Sequence, residues 1–350
     1  MRSFQVAEAL RVAIGVQRPI FIWGPPGVGK SDVVQQVATE GGSEMRDVRL
    51  NLMDPTDIKG FPVPDMETGV MRWLPADFLP PMVVKKEMQI SAKKTEMQLV
   101  ENDSRGVLFL DELNQAPPMT QTAAYQLLLN RKVGNYTLPK NWAMVAAGNR
   151  ESDRSNAQRM PAALALRLIH IDFDVNVDDW CTWALDQGDR VPVELLSFIR
   201  FRPELIHAFD PKQRVSPNPR SWVFCGETTN KQMSPEVEFE MFKGTVGEAA
   251  AIEYKGFLQI HRELPSVDSI LLDPDNTPVP TKPAVLFAIG AALAAKTTKD
   301  NFPRFMKYME RVGPEWLVTY VRDAQTRTKR EICTTREFLK FATTHGHLLS

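Results

Sequence analysis

The chain has 350 residues, which at about 150 residues per domain predicts two domains. Its 42 basic and 43 acidic residues leave it nearly neutral, which argues against a protein that coats nucleic acid by bulk charge. With 24% charged and 43% hydrophobic residues, the composition is typical of globular proteins and excludes a wholly disordered chain.

The cysteines and the apolar runs indicate the compartment. The 3 cysteines lie far apart in sequence and match neither a disulfide framework nor a metal-ligand spacing, which favours a reducing environment. No run approaches the roughly 18 apolar residues that a membrane span needs, and the amino terminus lacks the apolar core of a secretory signal. We therefore expect a cytoplasmic protein that does not contact membranes.

The first half of the sequence alternates short apolar runs with helical periodicity, the pattern of a parallel sheet covered by helices. Between the first two runs, residues 31–40 place valines on one face, as in an amphipathic helix. From about residue 175 the pattern becomes helical. The predicted strands are 20–23, 48–52, 107–110, 143–147 and 169–173, and the predicted later helices are 179–185, 193–198, 236–242, 246–261 and 284–295.

A phosphate-binding motif follows the first predicted strand. Glycines there allow backbone N–H groups to turn towards an anion, and the helix that follows directs its positive dipole end at the same point. The lysine provides a cation for the β- and γ-phosphates, and the serine provides a hydroxyl for Mg²⁺. The motif G-x-x-x-x-G-K-[ST] is matched by Gly24, Pro25, Pro26, Gly27, Val28, Gly29, Lys30 and Ser31.

Two acidic residues end the third predicted strand. Asp111 and Glu112 directly follow the apolar run 107–110, so a buried strand would carry both carboxylates to its carboxyl end, beside the phosphate loop. We expect Asp111 to orient the Mg²⁺ shell and Glu112 to polarise the water that attacks the γ-phosphate. The two motifs together predict a Mg-ATP site.

Five segments in order resemble the AAA+ ATPases and, within them, the MoxR family, over residues 1 to about 230. This resemblance implies an α/β fold: a P-loop core with a five-stranded parallel sheet at 1–175, an all-α lid at 176–262 and a C-terminal helical extension at 263–350. The segments that carry the resemblance are 24–31, 54–60, 111–118, 146–149 and 160–167.

The same resemblance implies roles for three further residues. Asn149 resembles the sensor-1 residue, which responds to the γ-phosphate. Arg167 resembles the arginine finger that one subunit presents to the ATP of its neighbour, with Arg154 and Arg159 as rival candidates. Arg220, in the segment Ser-Pro-Asn-Pro-Arg-Ser-Trp, resembles the sensor-2 arginine, although a simple helix start is the alternative.

The chain departs from the family pattern at two points. Relatives usually have Asp/Asn-Arg-Phe where this chain has Leu166-Arg167-Leu168, which leaves the identity of the finger open. Gln115 stands where many relatives carry an arginine, so that function is absent or is supplied by another residue.

Two segments interrupt the alternation of strands and helices, and a third carries a charged pattern. Residues 61–80 and 131–139 have the turn residues of β-hairpins, and in MoxR relatives an insertion at the first position faces a central pore. The aromatic residues Phe61 and Trp73 could contact a protein client or pack against their own domain. Residues 82–100 predict a helix with a solvated basic face.

The resemblance implies a Mg-ATP-hydrolysing ring of identical subunits, expected to be a hexamer, that remodels or activates a protein client. MoxR proteins commonly act with a separate partner that bears a von Willebrand factor A domain. The alternative is an AAA+ motor or initiator on nucleic acid, based on the basic residues of 322–340 near Trp316 and Tyr320. A small-molecule kinase and an ATP-binding scaffold without turnover are further alternatives.

Overall fold

The computed structural model describes residues 1–91, 94–150, 160–210, 213–262, 264 and 266–345. The chain separates into two compact units, Met1–Asp174 and Val175–Ser350. Arg154 and Arg159, the two rival finger candidates, lie outside the described residues. No helix in the described ranges is both long and apolar enough to cross a membrane.

A five-stranded parallel sheet forms the centre of the first unit as described. Its strands lie in the order β11, β1, β10, β7 and β2, with the bounds given next. The strands of this unit are β1 (Ile20–Trp23), β2 (Glu44–Arg49), β3 (Phe61–Pro64), β4 (Met71–Leu74), β5 (Val83–Ser91), β6 (Lys94–Glu101), β7 (Gly106–Asp111), β8 (Lys132–Val133), β9 (Tyr136–Thr137), β10 (Trp142–Gly148) and β11 (Ile169–Asp172).

Apolar clusters cover both faces of this sheet. Ile20 and Ile22 pack into one cluster and Phe21 into the other, because successive side chains of a strand point to opposite faces. The helices of this unit are α1 (Ser3–Gly15), α2 (Lys30–Glu40), α3 (Pro55–Lys59), α4 (Pro118–Asn130) and α5 (Ala162–Ala165), with 3-10 turns at Leu50–Leu52 and Leu113–Gln115.

Four of the five predicted sheet strands are confirmed, and the second is displaced. We expected a strand over 48–52, whereas β2 covers Glu44–Arg49 and the chain turns at Leu50–Leu52. The sequence signal fails here because β2 is an edge strand, paired only with β7, and most of its side chains are at least partly exposed. An edge strand therefore lacks the continuous apolar run of the central strands.

The predicted helix over 82–100 is wrong, because this segment is an antiparallel hairpin of β5 and β6. Pairing runs from Val83 with Glu101 to Ser91 with Lys94. The segment is rich in lysine, glutamate, methionine and glutamine, which favour helices locally, whereas a strand is stabilised by cross-strand pairs that single-residue propensity does not describe. Local propensity could not detect that pairing.

Two shorter hairpins are formed where the turn residues predict them. β3 and β4 pair antiparallel from Phe61 with Leu74, and β8 and β9 pair around the turn Gly134-Asn135. The turn at Gly134 adopts a positive φ of 53° and lies against the side chain of Trp73. The two hairpins therefore contact each other through this indole.

The described part of the second unit is helical, as the sequence predicts. The five predicted helices are present with bounds shifted by a few residues, and the helix expected over 246–261 begins at Glu248, because Gly247 adopts a φ of 83° and separates two helices. The helices are α6 (Val177–Leu185), α7 (Val193–Phe201), α8 (Pro219–Thr228), α9 (Pro235–Val246), α10 (Glu248–Arg262), α11 (Val267–Leu272), α12 (Pro283–Lys296), α13 (Phe302–Val312), α14 (Pro314–Arg327) and α15 (Arg336–His345), with 3-10 turns at Gly188–Arg190, Pro203–Ile206 and Glu331–Thr334.

A buried ion pair joins α7 and α14 in the second unit. Both guanidinium nitrogens of Arg200 donate to Asp323, with Nη2 2.7 Å from Oδ1. The exposed fractions of the two side chains are 9% and 2%. Because neither charge is solvated, each depends on the other, and removing one partner leaves an uncompensated buried charge.

We expect Asp323→Ala to lower the free energy of unfolding by about 3 kcal/mol or more, because it leaves the Arg200 guanidinium buried without its carboxylate. Urea unfolding of the full chain measures this loss. The control is Asp178→Ala, which removes an exposed carboxylate 3.9 Å from Arg322 and should cost less than about 1 kcal/mol. Equal losses in the two variants would contradict the assignment.

Candidate nucleotide site

The phosphate loop joins β1 to α2 and depends on glycine conformations. Gly27 and Gly29 have φ values of 76° and 97°, in the left-handed region that side chains disfavour. At Gly24 a Cβ atom would lie 2.7 Å from the carbonyl oxygen of Phe173, which is too close. Since α2 begins at Lys30, its first N–H groups and the loop amides lie together at the positive end of the helix dipole.

The ammonium group of Lys30 connects the phosphate loop to the end of β10. Its Nζ donates to the carbonyl oxygens of Gly24 at 2.7 Å and Pro25 at 3.2 Å, and to Oδ1 of Asn149 at 2.9 Å. Lys30 is buried, so these oxygens replace the water that a cation would otherwise bind. Lys30 and Asn149, assigned from separate motifs, are therefore in direct contact.

Two oxygen donors suited to Mg²⁺ meet at the end of β7. The hydroxyl of Ser31 donates to Oδ2 of Asp111 at 3.1 Å, and the other carboxylate oxygen accepts from the backbone N–H of Glu112 at 2.8 Å. Mg²⁺ binds hard oxygen ligands and commonly takes only one or two from the protein. Ser31 and Asp111 therefore fit the ion predicted at this site.

The electrostatics of β2 favour a cation at the same position. Burial, and then the neighbouring Asp111 carboxylate, raise the pKa of Asp47 above its ordinary value. Two carboxylates on adjacent strands repel each other unless a cation or a proton lies nearby. The negative charge at this edge is thus concentrated where Mg²⁺ is expected.

The backbone of Glu112 is strained. Its φ and ψ of 55° and 32° are left-handed, a conformation that costs a residue with a side chain about 1–2 kcal/mol. Strain of this kind is concentrated at functional sites, where it aims a side chain that a relaxed backbone would direct elsewhere. In this chain it occurs at the second acid of the motif, between the end of β7 and the turn Leu113–Gln115.

Asn114 belongs to the site and was not assigned a role from the sequence. Its amide clamps the backbone of Asn149: Nδ2 donates to the carbonyl oxygen at 2.7 Å and Oδ1 accepts from the N–H at 3.2 Å. Asn114 is only 1% exposed, and the clamp satisfies its buried amide. The sequence signal that could have identified Asn114 is its position three residues after Asp111, in the turn that follows the end of β7.

Gly148 leaves room for this clamp. A Cβ atom at Gly148 would lie 2.1 Å from Oδ1 of Asn114 and 2.7 Å from Cζ of Phe21. The amide of Asn114 could not occupy its present position beside any other residue type. Gly148 is therefore required for the packing of Asn114 against this strand end.

Arg167 lies at the other end of the sheet. It precedes β11, and β1 runs parallel to β11 with Ile20 paired with Ile169, so Arg167 is at the amino edge of the strands. Lys30 and Asp111 are at the carboxyl edge, and β1 alone places about 10 Å of buried strand between the two edges. The exposed guanidinium of Arg167 is thus separated from the phosphate loop of its own chain.

A side-chain link connects the two edges along β1 and β11. Trp23, which directly precedes the phosphate loop, donates its Nε1–H to Nδ1 of His170 at 2.9 Å and stacks on that ring. The other imidazole nitrogen of His170 bonds to the carbonyl oxygen of Ala165 at 2.8 Å. Because Ala165 ends the short helix before Arg167, the phosphate loop and the Arg167 segment share this contact.

Arg220 belongs to the second unit. It is the second residue of α8, which is capped by Asn218 through a 3.0 Å bond from the backbone N–H of Ser221. The side chain of Arg220 is exposed. The helix start, which was the alternative interpretation of this segment, is therefore present, and the sensor-2 role of Arg220 stays a prediction.

The aromatic residues that supported nucleic-acid binding are packed inside the second unit. Tyr320 is buried and stacks on Phe302, and the ring of Trp316 contacts Phe287 at a centroid distance of 4.5 Å. Bases stack on exposed aromatic rings, whereas Tyr320 is buried and Trp316 is partly buried against an apolar cluster. Nothing in the described part of the chain specifically favours nucleic acid.

Known proteins resemble this chain most clearly over the first unit. Residues 20–172 match the family model for the ATPase family associated with various cellular activities (AAA). Midasin of Giardia intestinalis is 26% identical over 205 residues, which are 56% of this chain and 4% of midasin. The chain thus spans only a small part of that relative's length.

Solved structures give weaker similarity. NtrX of Brucella abortus in complex with ADP has a TM-score of 0.41 and 13% identity, over 98% of this chain and 67% of NtrX. A mutant of RuvB from Thermotoga maritima has a TM-score of 0.34 and 11% identity, over 98% of this chain and 86% of RuvB. Residues 20–172 therefore match the AAA family model, and the contacts among Lys30, Ser31, Asp111 and Asn149 agree with the nucleotide site that this match leads one to expect.

Proposed function

We propose that the chain is a MoxR-type ATPase that hydrolyses Mg-ATP at seams between identical subunits and uses the energy to remodel a protein client. The observation that carries the proposal is the convergence of Lys30, Asp111 and Asn149, from three separate strand ends, at one edge of the sheet. A phosphate loop alone is common to many nucleotide-binding proteins, whereas this set is suited to hydrolysis.

Each residue at this edge has a defined task in hydrolysis. The loop amides and Lys30 bind the β- and γ-phosphates, while Asn149 holds the γ-phosphate and the attacking water in line. Ser31 and Asp111 would hold Mg²⁺, which supplies charge neutralisation for the phosphate oxygens. Glu112 accepts hydrogen bonds from the water and orients it for attack. Asn114 acts through Asn149 by fixing its backbone.

Arg167 would complete the site of a second copy. A guanidinium stabilises the negative charge that spreads over the transferring phosphoryl group. The separation of Arg167 from its own phosphate loop supports action in trans, and the link through Trp23 and His170 offers a route from one site to the next. A closed ring, proposed as a hexamer, gives every subunit both roles.

The first hairpin is the proposed contact with the client. Phe61 on β3 is 73% exposed, and Met71 and Leu74 on β4 are exposed as well. Exposed apolar groups of this density are typical of protein-binding surfaces. We propose a separate partner with a von Willebrand factor A domain as the client or its adaptor, and Arg220 as a residue that carries the nucleotide state to the helical unit.

Lys30→Ala is expected to abolish ATP binding, because it removes the only cation bonded to both the loop and Asn149 among the described residues. Equilibrium binding of a fluorescent ATP analogue and a phosphate-release assay measure the effect. Lys140→Ala, which changes an exposed lysine, is the matched control. Full ATP turnover by Lys30→Ala would contradict the site.

Gly148→Ala is expected to lower kcat about a hundredfold, because its Cβ would displace Asn114 and with it the backbone of Asn149. ATP affinity should change less, since the atoms nearest to the added Cβ belong to Asn114 and Phe21 and not to the phosphate loop. Gly15→Ala is the control, because a Cβ there meets no atom within 4 Å. If both variants hydrolyse ATP at the unsubstituted rate, Asn114 does not position Asn149.

Arg167→Ala is expected to reduce kcat by about 10³-fold or more, with little change in ATP affinity. The rate per subunit of the unsubstituted chain should also fall on dilution, as subunits separate. Steady-state rates across a range of protein concentrations, with mass measured by light scattering, test both expectations. A monomer with the full rate would contradict a shared site.

A further inference from the structure

We propose that Arg18 is a second trans-acting arginine, which binds, together with Arg167, the polyphosphate of the nucleotide held by a neighbouring copy. This inference rests on the proposed shared site and extends it by one residue. Neither the phosphate motif nor the family resemblance singles out Arg18, which lies upstream of β1 at residue 18.

The strand register brings the two arginines together. β1 and β11 are neighbours, Ile20 is paired with Ile169, and the N–H of Ile169 donates to the carbonyl oxygen of Pro19 at 3.0 Å. Arg18 and Arg167 therefore lie just before the amino ends of two adjacent strands, at the same edge of the sheet. Adjacent strands lie about 4.8 Å apart, so two long arginine side chains starting there can reach one ligand.

Both arginines line one cavity of about 560 Å³ in the first unit. Both side chains are exposed, and within the described ranges neither forms an ion pair or a side-chain hydrogen bond. Arg131, in the same cavity, differs: its guanidinium donates to the carbonyl oxygens of Pro139 at 2.9 Å and Trp142 at 2.7 Å. Arg131 therefore has a structural task, whereas Arg18 and Arg167 remain available.

The two positive charges of Arg18 and Arg167 favour an anion that carries more than one negative group. Two guanidinium groups at one cavity repel each other, and an anion between them converts that repulsion into attraction. A polyphosphate has several negative oxygens in a row and matches two arginines better than a single carboxylate does. The chain's own nucleotide site is beyond reach, since it lies at the opposite edge of the sheet.

The rim of the cavity is suited to contact with another copy. Leu166, directly before Arg167, is 87% exposed, and the partly exposed Leu129 also lines the cavity. An apolar contact beside the arginines would exclude water and so strengthen their interaction with the phosphates. We therefore assign this edge to the seam with the subunit whose nucleotide it faces.

A complementation experiment with the full-length chain tests the proposal. The acceptor, Arg18→Ala/Arg167→Ala, keeps an intact phosphate site but lacks both arginines. The donor, Lys30→Ala, has a disabled site but keeps both arginines. When the two are mixed, ATP hydrolysis above the sum of the separate rates can arise only where a donor's amino edge meets an acceptor's phosphate site.

Three donors are compared: Lys30→Ala alone, Lys30→Ala/Arg18→Ala and Lys30→Ala/Arg105→Ala. Arg105 precedes β7 at the same edge of the sheet, is exposed and does not line the cavity, so it controls for general positive charge. We expect the first and third donors to restore hydrolysis equally and the second to restore it about tenfold less. Light scattering verifies that all mixtures assemble to the same mass.

The outcomes separate the two proposals. If no donor restores hydrolysis, the proposal of a shared site is contradicted, and so is the role of Arg18 that depends on it. If the donor lacking Arg18 restores hydrolysis as well as Lys30→Ala alone, the shared site stands and the inference about Arg18 is overturned. Equal losses with the Arg18 and Arg105 donors would likewise overturn it, because the effect would then be one of overall charge.

Discussion

The parallel register of β1, β7 and β10 is the constraint on which the site depends. Parallel strands all end at the same edge, so the phosphate loop, Asp111 and Asn149 meet there although they are separated by up to 125 positions between Gly24 and Asn149. The bonds from Lys30 to Asn149 and from Ser31 to Asp111 close this arrangement. Slippage of β10 by one residue would move Asn149 away from Lys30, and slippage of β7 would move Asp111 away from Ser31.

The same register creates a second, opposite edge with a different charge. The carboxyl edge holds the carboxylates of Asp111 and Glu112 together with the cations Lys30 and Arg49, whereas the amino edge presents the exposed guanidinium groups of Arg18 and Arg167. A molecule whose nucleotide-binding residues and exposed arginines lie at opposite edges is suited to head-to-tail association of copies, which closes into a ring when the rotation allows. The proposed catalytic cycle follows from this polarity and from the link through Trp23 and His170.

Some elements were predictable from the sequence because their signals are local. The central strands appear as apolar runs since both of their faces are buried. Gly24 to Ser31 matches a motif that few other structures require. β2 and the β5–β6 hairpin were misplaced because an exposed edge strand and a two-stranded hairpin carry polar side chains that resemble loop or helix. The partner of β2 is β7, which lies far along the chain, whereas β5 pairs with the strand that follows it.

The sequence by itself determined the α/β class, the phosphate loop, the acids Asp111 and Glu112, and the helical nature of the second unit, because each depends on neighbouring residues. Only the tertiary structure decided that Asn114 clamps Asn149, that Gly148 must lack a side chain, and that Arg18 lies beside Arg167. Those relations join residues brought together by strand order, and strand order is set by packing of the whole sheet rather than by any local pattern.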